Sequence, residues 1–265
     1  MKKIITLMLT LVLTLGAVMG LTACNNDKYI TVGYTDYPPM NYEQDGELVG
    51  FDTELAEKVF TELGYKVRFK LIVWENKYTE LNGGSIDCIW NGFTSNGDDD
   101  GVPRSQSVDF TYNYMQNAQC ILRKNTTADV TDPSAFSGKS IAFENSSAAE
   151  SLVEGYAENN NAMATGKASQ MDAITALNNG TADFAIVDIL LAQSIITQSD
   201  YSSLVINEGI EIPVEYYAIG FKKGSDLTAK VNEQLEKLLA SGFIKTLAEK
   251  YNLATSYITD YSSQK

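Results

Sequence analysis

Leu81-Asn82-Gly83-Gly84-Ser85-Ile86-Asp87 and Leu177-Asn178-Asn179-Gly180-Thr181-Ala182-Asp183 carry leucine, asparagine, glycine and aspartate at the same spacing. Each reads as a helix end, a glycine stop and the start of a buried strand, since glycine accepts the left-handed turn that ends a helix. The first runs through the apolar stretch Ile86 to Trp90 and emerges at Asn91-Gly92-Phe93-Thr94. The second runs from Ala182 to Val187 and emerges at Asp188-Ile189. A unit used twice implies two related lobes. Ligands of open α/β sheets bind outside the carboxyl ends of the strands, so the two strand ends are expected to face one cleft.

Outward from this repeat, short β-rich runs alternate with helical periodicity, the pattern of α/β packing. Ile30 to Tyr34 reads as a strand that ends at Tyr37-Pro38-Pro39. Leu55, Ala56, Val59, Phe60 and Leu63 fall at helical spacing behind Gly50-Phe51-Asp52, with Asp52 the expected N-cap and Gly64 the stop. A strand over 66–73 and a helix over 76–81 precede the first copy of the repeat. A solvated acidic loop, Asp98-Asp99-Asp100-Gly101, and a long extended stretch over 108–123 follow it. The second set comprises a strand over 139–143, a helix over 148–157, an extended piece at 162–165, a helix over 170–177 and the strand 182–187. A strand over 216–221 and amphipathic helices over 227–239 and 243–251 close the chain.

Composition removes several chemistries. The 265 residues include no histidine and three cysteines. Ser-His-Asp and Cys-His nucleophile pairs, histidine metal sites and four-thiolate zinc sites are therefore excluded. With 20 basic against 34 acidic residues the net charge is -14. That balance argues against nucleic acid, which is held chiefly by Lys and Arg. No metal and no cofactor is expected.

Lys2 and Lys3 precede an apolar run from Ile4 to Val18, which leads into Leu21-Thr22-Ala23-Cys24. Residues 1–23 read as a signal peptide to be left out of the fold. Leu-Thr-Ala-Cys resembles the bacterial lipobox, which implies an acylated Cys24 as lipid anchor and residues 24–28 as a short tether. Without Lys2 and Lys3 the charge becomes -16. Cys88 and Cys120 lie in apolar strand patterns and are expected to be free rather than bridged, although export permits a disulfide.

Several segments follow in the order found in a known family: Tyr37-Pro38-Pro39-Met40, Leu48-Val49-Gly50-Phe51-Asp52, Ile86-Asp87 leading to Gly92-Phe93-Thr94, Arg104 with Val108-Asp109-Phe110, Gly138-Lys139-Ser140-Ile141, and Ala182-Asp183 leading to Val187-Asp188. Over about residues 29 to 255 the chain resembles the family 3 extracellular solute-binding proteins of polar amino acid ABC transporters. The resemblance implies a two-lobed periplasmic-binding-protein type II fold with a two-strand hinge near 116–119 and 213–216. Lobe 1 would take 29–117 and 215–265, and lobe 2 would take 118–214. It implies Arg104 for the ligand carboxylate, assisted by Gly92, Thr94, Ser146 and Ser147, with Asp188 for the α-ammonium and Tyr37 and Trp74 flanking the ligand side chain. The family joins its threonine and arginine by a short loop, whereas Ser95 to Pro103 intervene here. Asn145 stands where a glycine is usual.

The chemistry agrees with these roles. A free α-amino acid presents a carboxylate and an ammonium on one carbon, so a dehydrated cleft needs a guanidinium on one side and a carboxylate on the other. The start of the helix near Ala148 offers free N–H groups to an anion. Each assignment has a plain structural alternative: a surface ion pair for Arg104 with the nearby aspartates, a helix N-cap for Asp188, caps for the serines, core packing for Tyr37 and Trp74. The expected protein is a monomeric, non-enzymatic lipoprotein on the extracytoplasmic face of the cell membrane that hands a polar amino acid, glutamine or cystine among the candidates, to ABC permease subunits. The acidic loop leaves a cationic side chain open. The competing readings are a sensor domain and a secreted dehydratase or lyase of the same fold, which would need an acidic group such as Glu43, Glu75 or Glu144 in the cleft.

Overall fold

The computed structural model describes residues 27–265, so the expected signal peptide and the expected acylation site Cys24 lie outside the described residues. Strands β1 (Lys28–Tyr34), β4 (Tyr65–Leu71), β5 (Cys88–Ile89), β8 (Val108–Phe110) and β15 (Gly220–Lys222) form one sheet in the order β4-β1-β5-β15-β8. The second sheet, in the order β11-β10-β12-β9-β13, contains β9 (Met115–Lys124), β10 (Ser140–Glu144), β11 (Met163–Lys167), β12 (Phe184–Asp188) and β13 (Leu204–Ile206). Two hairpins stand apart, β2 (Tyr42–Gln44) with β3 (Glu47–Val49) and β6 (Asp98–Asp99) with β7 (Val102–Pro103).

The repeat is visible in the topology. In the first sheet β1, α1 (Phe51–Glu62), β4, α2 (Lys77–Asn82) and β5 follow one another, and β1 is parallel to both β4 and β5. In the second, β10, α3 (Ala148–Asn160), β11, α4 (Gln170–Asn178) and β12 do the same, with β10 central. Gly84 and Gly180 both take the left-handed backbone, at φ 74° and 77°, which a side chain would strain. The repeated aspartates clamp the central strands. Asp87 accepts the Thr31 N–H at 2.7 Å, and Asp183 accepts the Ser140 N–H at 2.9 Å.

The chain passes between the sheets twice, side by side. The first part of β9 pairs antiparallel with β14 (Val214–Tyr217), Met115 opposite Tyr217 and Ala118 opposite Val214, while its remainder pairs with β12 and β13. The helical periodicity buries one face of each helix. Phe51, Leu55, Val59 and Phe60 of α1 join Val231 and Leu235 of α6 (Leu227–Ala240) and Ile244 and Leu247 of α7 (Phe243–Lys250) in one core. In the second lobe Ile141 and Phe143, on one face of β10, bury against Val153 and Tyr156 of α3, as strand alternation requires.

Several sequence expectations change. The extended stretch over 108–123 is broken between β8 and β9, because its two halves serve different sheets. Asp52 does not cap α1: Gly50 occupies the N-cap, and the buried Asp52 carboxylate accepts the Gly92 N–H and the Tyr114 hydroxyl. Helix α5 (Ile189–Ile195) follows β12 directly. The acidic loop is the β6–β7 hairpin, with Asp99 turned inward. Cys88 and Cys120 are free and buried.

Candidate functional site

The carboxyl ends of β5, β10 and β12 meet at a cavity of ≈ 10 Å³, about the space of one water. Gly92, Thr94, Arg104, Ser147, Asp188 and Trp74 all line it, so six of the eight expected site residues come together. Asn91, Glu144, Ala148 and Gln170 complete the wall.

Arg104 opens a 3-10 turn and is 1% exposed. Its Nε donates to Asp99 Oδ1 at 3.0 Å, Nη1 to the Thr94 carbonyl at 3.4 Å, and Nη2 to the Ser146 carbonyl at 3.3 Å. The ion pair with a neighbouring aspartate is thus real, but its Arg104 half is buried and lines the cavity, while Asp99 stays partly exposed. Lys77, equally buried, donates to the same Ser146 carbonyl at 2.9 Å and lies 3.8 Å from Asp99. Burial, followed by the nearby Arg104 charge, pushes Lys77 down to about 8. The acidic hairpin therefore supplies a carboxylate shared by two buried cations.

Asp188 ends β12 at the N-cap position of α5, yet its side chain makes no cap hydrogen bond. Oδ1 instead accepts Asn117 Nδ2 at 2.6 Å and Gln119 Nε2 at 2.7 Å, and Oδ2 accepts the Gln170 amide. The same two β9 amides reach Glu215 Oε2, at 3.2 and 3.1 Å, and Thr94 Oγ1 donates to that atom at 3.1 Å. Burial and the Asp188 charge raise Glu215 to about 7. Glu144, at the end of β10, is raised to about 8 by burial and then by Asp188, and its Oε1 has no hydrogen-bond partner.

Ser147 caps α3 by accepting the Ala149 N–H at 3.2 Å and lines the cavity as well. Ser146 does not reach the wall; it contributes its carbonyl to Arg104 and Lys77. The left-handed residue of this turn is Ser146, at φ 56°, and not Asn145. Tyr37 is also absent from the wall. Its buried ring lies behind Gly92, where an added Cβ would sit 2.5 Å from Tyr37 Cε1, and its hydroxyl bonds the Tyr217 hydroxyl at 2.6 Å. Trp74 does reach the cavity, edge-on to Phe93 at 5.3 Å between centroids. Trp90 is core. Of the three acidic candidates Glu43, Glu75 and Glu144, the first two are exposed and Glu144 enters the cavity.

Residues 30–254 match the bacterial extracellular solute-binding proteins, family 3. The chain belongs to this family. It is 25% identical over 223 residues to a probable histidine-binding protein of Campylobacter jejuni, covering 82% of each chain. It is also 25% identical over 229 residues to the L-cystine-binding protein TcyA of Bacillus subtilis, covering 84% of this chain and 80% of that one. Among solved structures, an ancestral arginine-binding protein bound to arginine superposes with a TM-score of 0.77 at 26% identity, covering 84% of this chain and 97% of the other. The fold is the type II periplasmic-binding-protein architecture. Members of this family are binding proteins by the names of these relatives, and no described helix of this chain is long and apolar enough to cross a membrane.

The residues that sequence reasoning missed are Lys77, Asn117, Gln119, Gln170 and Glu215. Asn117 and Gln119 carried a usable signal, since two amides two residues apart on a strand share one face. Lys77 and Glu215 carried none; each reads as an ordinary solvated charge.

Proposed function

We propose that this protein captures a free polar amino acid between two lobes and passes it to the permease subunits of an ABC importer while acylated Cys24 holds it on the extracytoplasmic face of the membrane. The supporting observation is that Arg104, in the 3-10 turn before β8, and Asp188, at the end of β12, line one buried cavity whose wall includes the capped N-terminus of α3. Arg104 keeps Nη1 and Nη2 protons for the ligand carboxylate, with Thr94 and the first N–H groups of α3 beside it. Asp188 takes the ammonium. Such a ligand exceeds the present cavity, so it enters an opened cleft, with lobe 1 (29–117 and 215–265) and lobe 2 (118–214) turning about the paired β9 and β14.

A thermal-shift screen against the twenty amino acids and cystine tests this reading. A saturable rise in melting temperature with at least one of them is expected, and the ligand is recovered chemically unchanged. No response to any would overturn it; conversion of the ligand would favour the secreted-enzyme reading, with Glu144 as its acid.

A further inference from the structure

We propose that the site selects an amino acid whose side chain carries a second positive charge, received by Glu144, which lines the cavity together with Asp188. The inference rests on the amino acid reading above and names the class of ligand. It follows from the charges around the cavity. Arg104 and Lys77 share Asp99, leaving one net positive charge, which the ligand α-carboxylate balances. Asp188 balances the α-ammonium. Glu144, which is buried, and Glu215, which is half-buried, remain, and neither has a Lys or Arg nitrogen within 4.0 Å among the described residues.

The two carboxylates are held differently. Three neutral donors, Thr94, Asn117 and Gln119, satisfy Glu215 Oε2. Glu144 is 3% exposed, lines the cavity, and keeps Oε1 without a donor. A buried oxygen of this kind calls for a partner, and a cationic donor supplies both the hydrogen bond and the missing charge. A neutral amide would satisfy the hydrogen bond without favouring release of the proton that burial makes Glu144 hold in the ligand-free protein, whereas a cation favours the ionised carboxylate. An acidic side chain would add a further negative group to a cluster that already holds three carboxylates.

Isothermal titration with arginine against citrulline, its uncharged near-isostere, and with lysine, glutamine and cystine tests the proposal. Arginine or lysine is expected to bind about 100-fold or more tightly than the uncharged ligands, the scale of a buried charge left unpaired. Glu144→Gln should erase most of that preference, while Glu144→Asp, which keeps the charge, retains part of it; circular dichroism checks that both are folded. Equal binding of arginine and citrulline, tighter binding of glutamine or cystine, or a preference unchanged in Glu144→Gln would overturn the inference and leave the amino acid reading standing. Failure to bind any of the five would overturn this inference, and the twenty-residue screen then decides the broader one.

Discussion

At the scale of residues, the proposed recognition pair, Arg104 and Asp188, carries the sharpest prediction. Removing Asp188 or Arg104 leaves a ligand charge unpaired in a closed cleft, at about 3–5 kcal/mol, or roughly a 100-fold loss or more at about 1.4 kcal/mol per decade. Calorimetry on Asp188→Asn and Arg104→Met should show this with native circular dichroism; wild-type affinity in both would place the ligand elsewhere. The buried carboxyls also set a pH dependence. Glu144 rises from 4.5 to about 8, Glu215 from 4.5 to about 7 and Asp52 from 3.8 to about 7, burial being the largest cause each time. Between the ordinary carboxyl range and about 8 the folded protein holds protons that the unfolded chain has released. Stability of the ligand-free protein should therefore fall as pH rises through that window. Melting temperatures at pH 5, 6, 7 and 8 should decline, and less steeply in Glu144→Gln; identical slopes would mean that Glu144 titrates normally.

At the scale of elements, the duplicated helix-stop-strand unit performs the same mechanical task in each lobe. Asp87 and Asp183 also donate their own backbone N–H groups to Thr31 and Ser140, at 2.8 and 3.0 Å, so each tethers a strand start to the neighbouring central strand through main chain and side chain together. Alanine at either position removes the carboxylate half of the clamp and should cost about 0.5–1.5 kcal/mol, the usual worth of one such hydrogen bond. The sites lie in separate sheets, so the two losses should add in urea titrations of the double variant. A loss in one lobe and none in the other would show that the repeat is sequence likeness without a shared structural task. Elements that the sequence reading missed, such as α5 and β13, are short, and their apolar runs carry no length or turn signal to separate helix from strand.

At the scale of the whole molecule, closure and anchoring are the testable properties. Lys77 and Arg104 from one lobe hold the Ser146 carbonyl of the other, and Ser151 faces Asp98 across the same gap. These bonds join residues of the two lobes, and a ligand held between them is expected to shift the balance toward the closed form. Small-angle scattering should give a smaller radius of gyration with saturating ligand than without; identical curves alongside demonstrated binding would contradict the hinge. For the anchor, Cys24→Ala should move the exported protein out of the Triton X-114 detergent phase and remove lipid mass from its N-terminus. Unchanged partition would end the lipoprotein assignment.

Apart from Arg104, whose assignment came from the family resemblance, the α/β class, the doubled unit and the placement of Gly92, Thr94 and Asp188 at strand ends were legible in the sequence alone. They depend on local signals: glycine stops, helical or strand periodicity, and residues placed directly at strand ends. Tertiary structure alone decided that Tyr37 lies behind Gly92 and that Asp99 folds inward onto Lys77 and Arg104. It also decided that Glu215 shares the amides of Asn117 and Gln119 with Asp188. These pairings join segments far apart in the chain. Whether a charged side chain is solvated or buried beside another depends on which strand ends the two sheets bring together, and no local pattern carries that information.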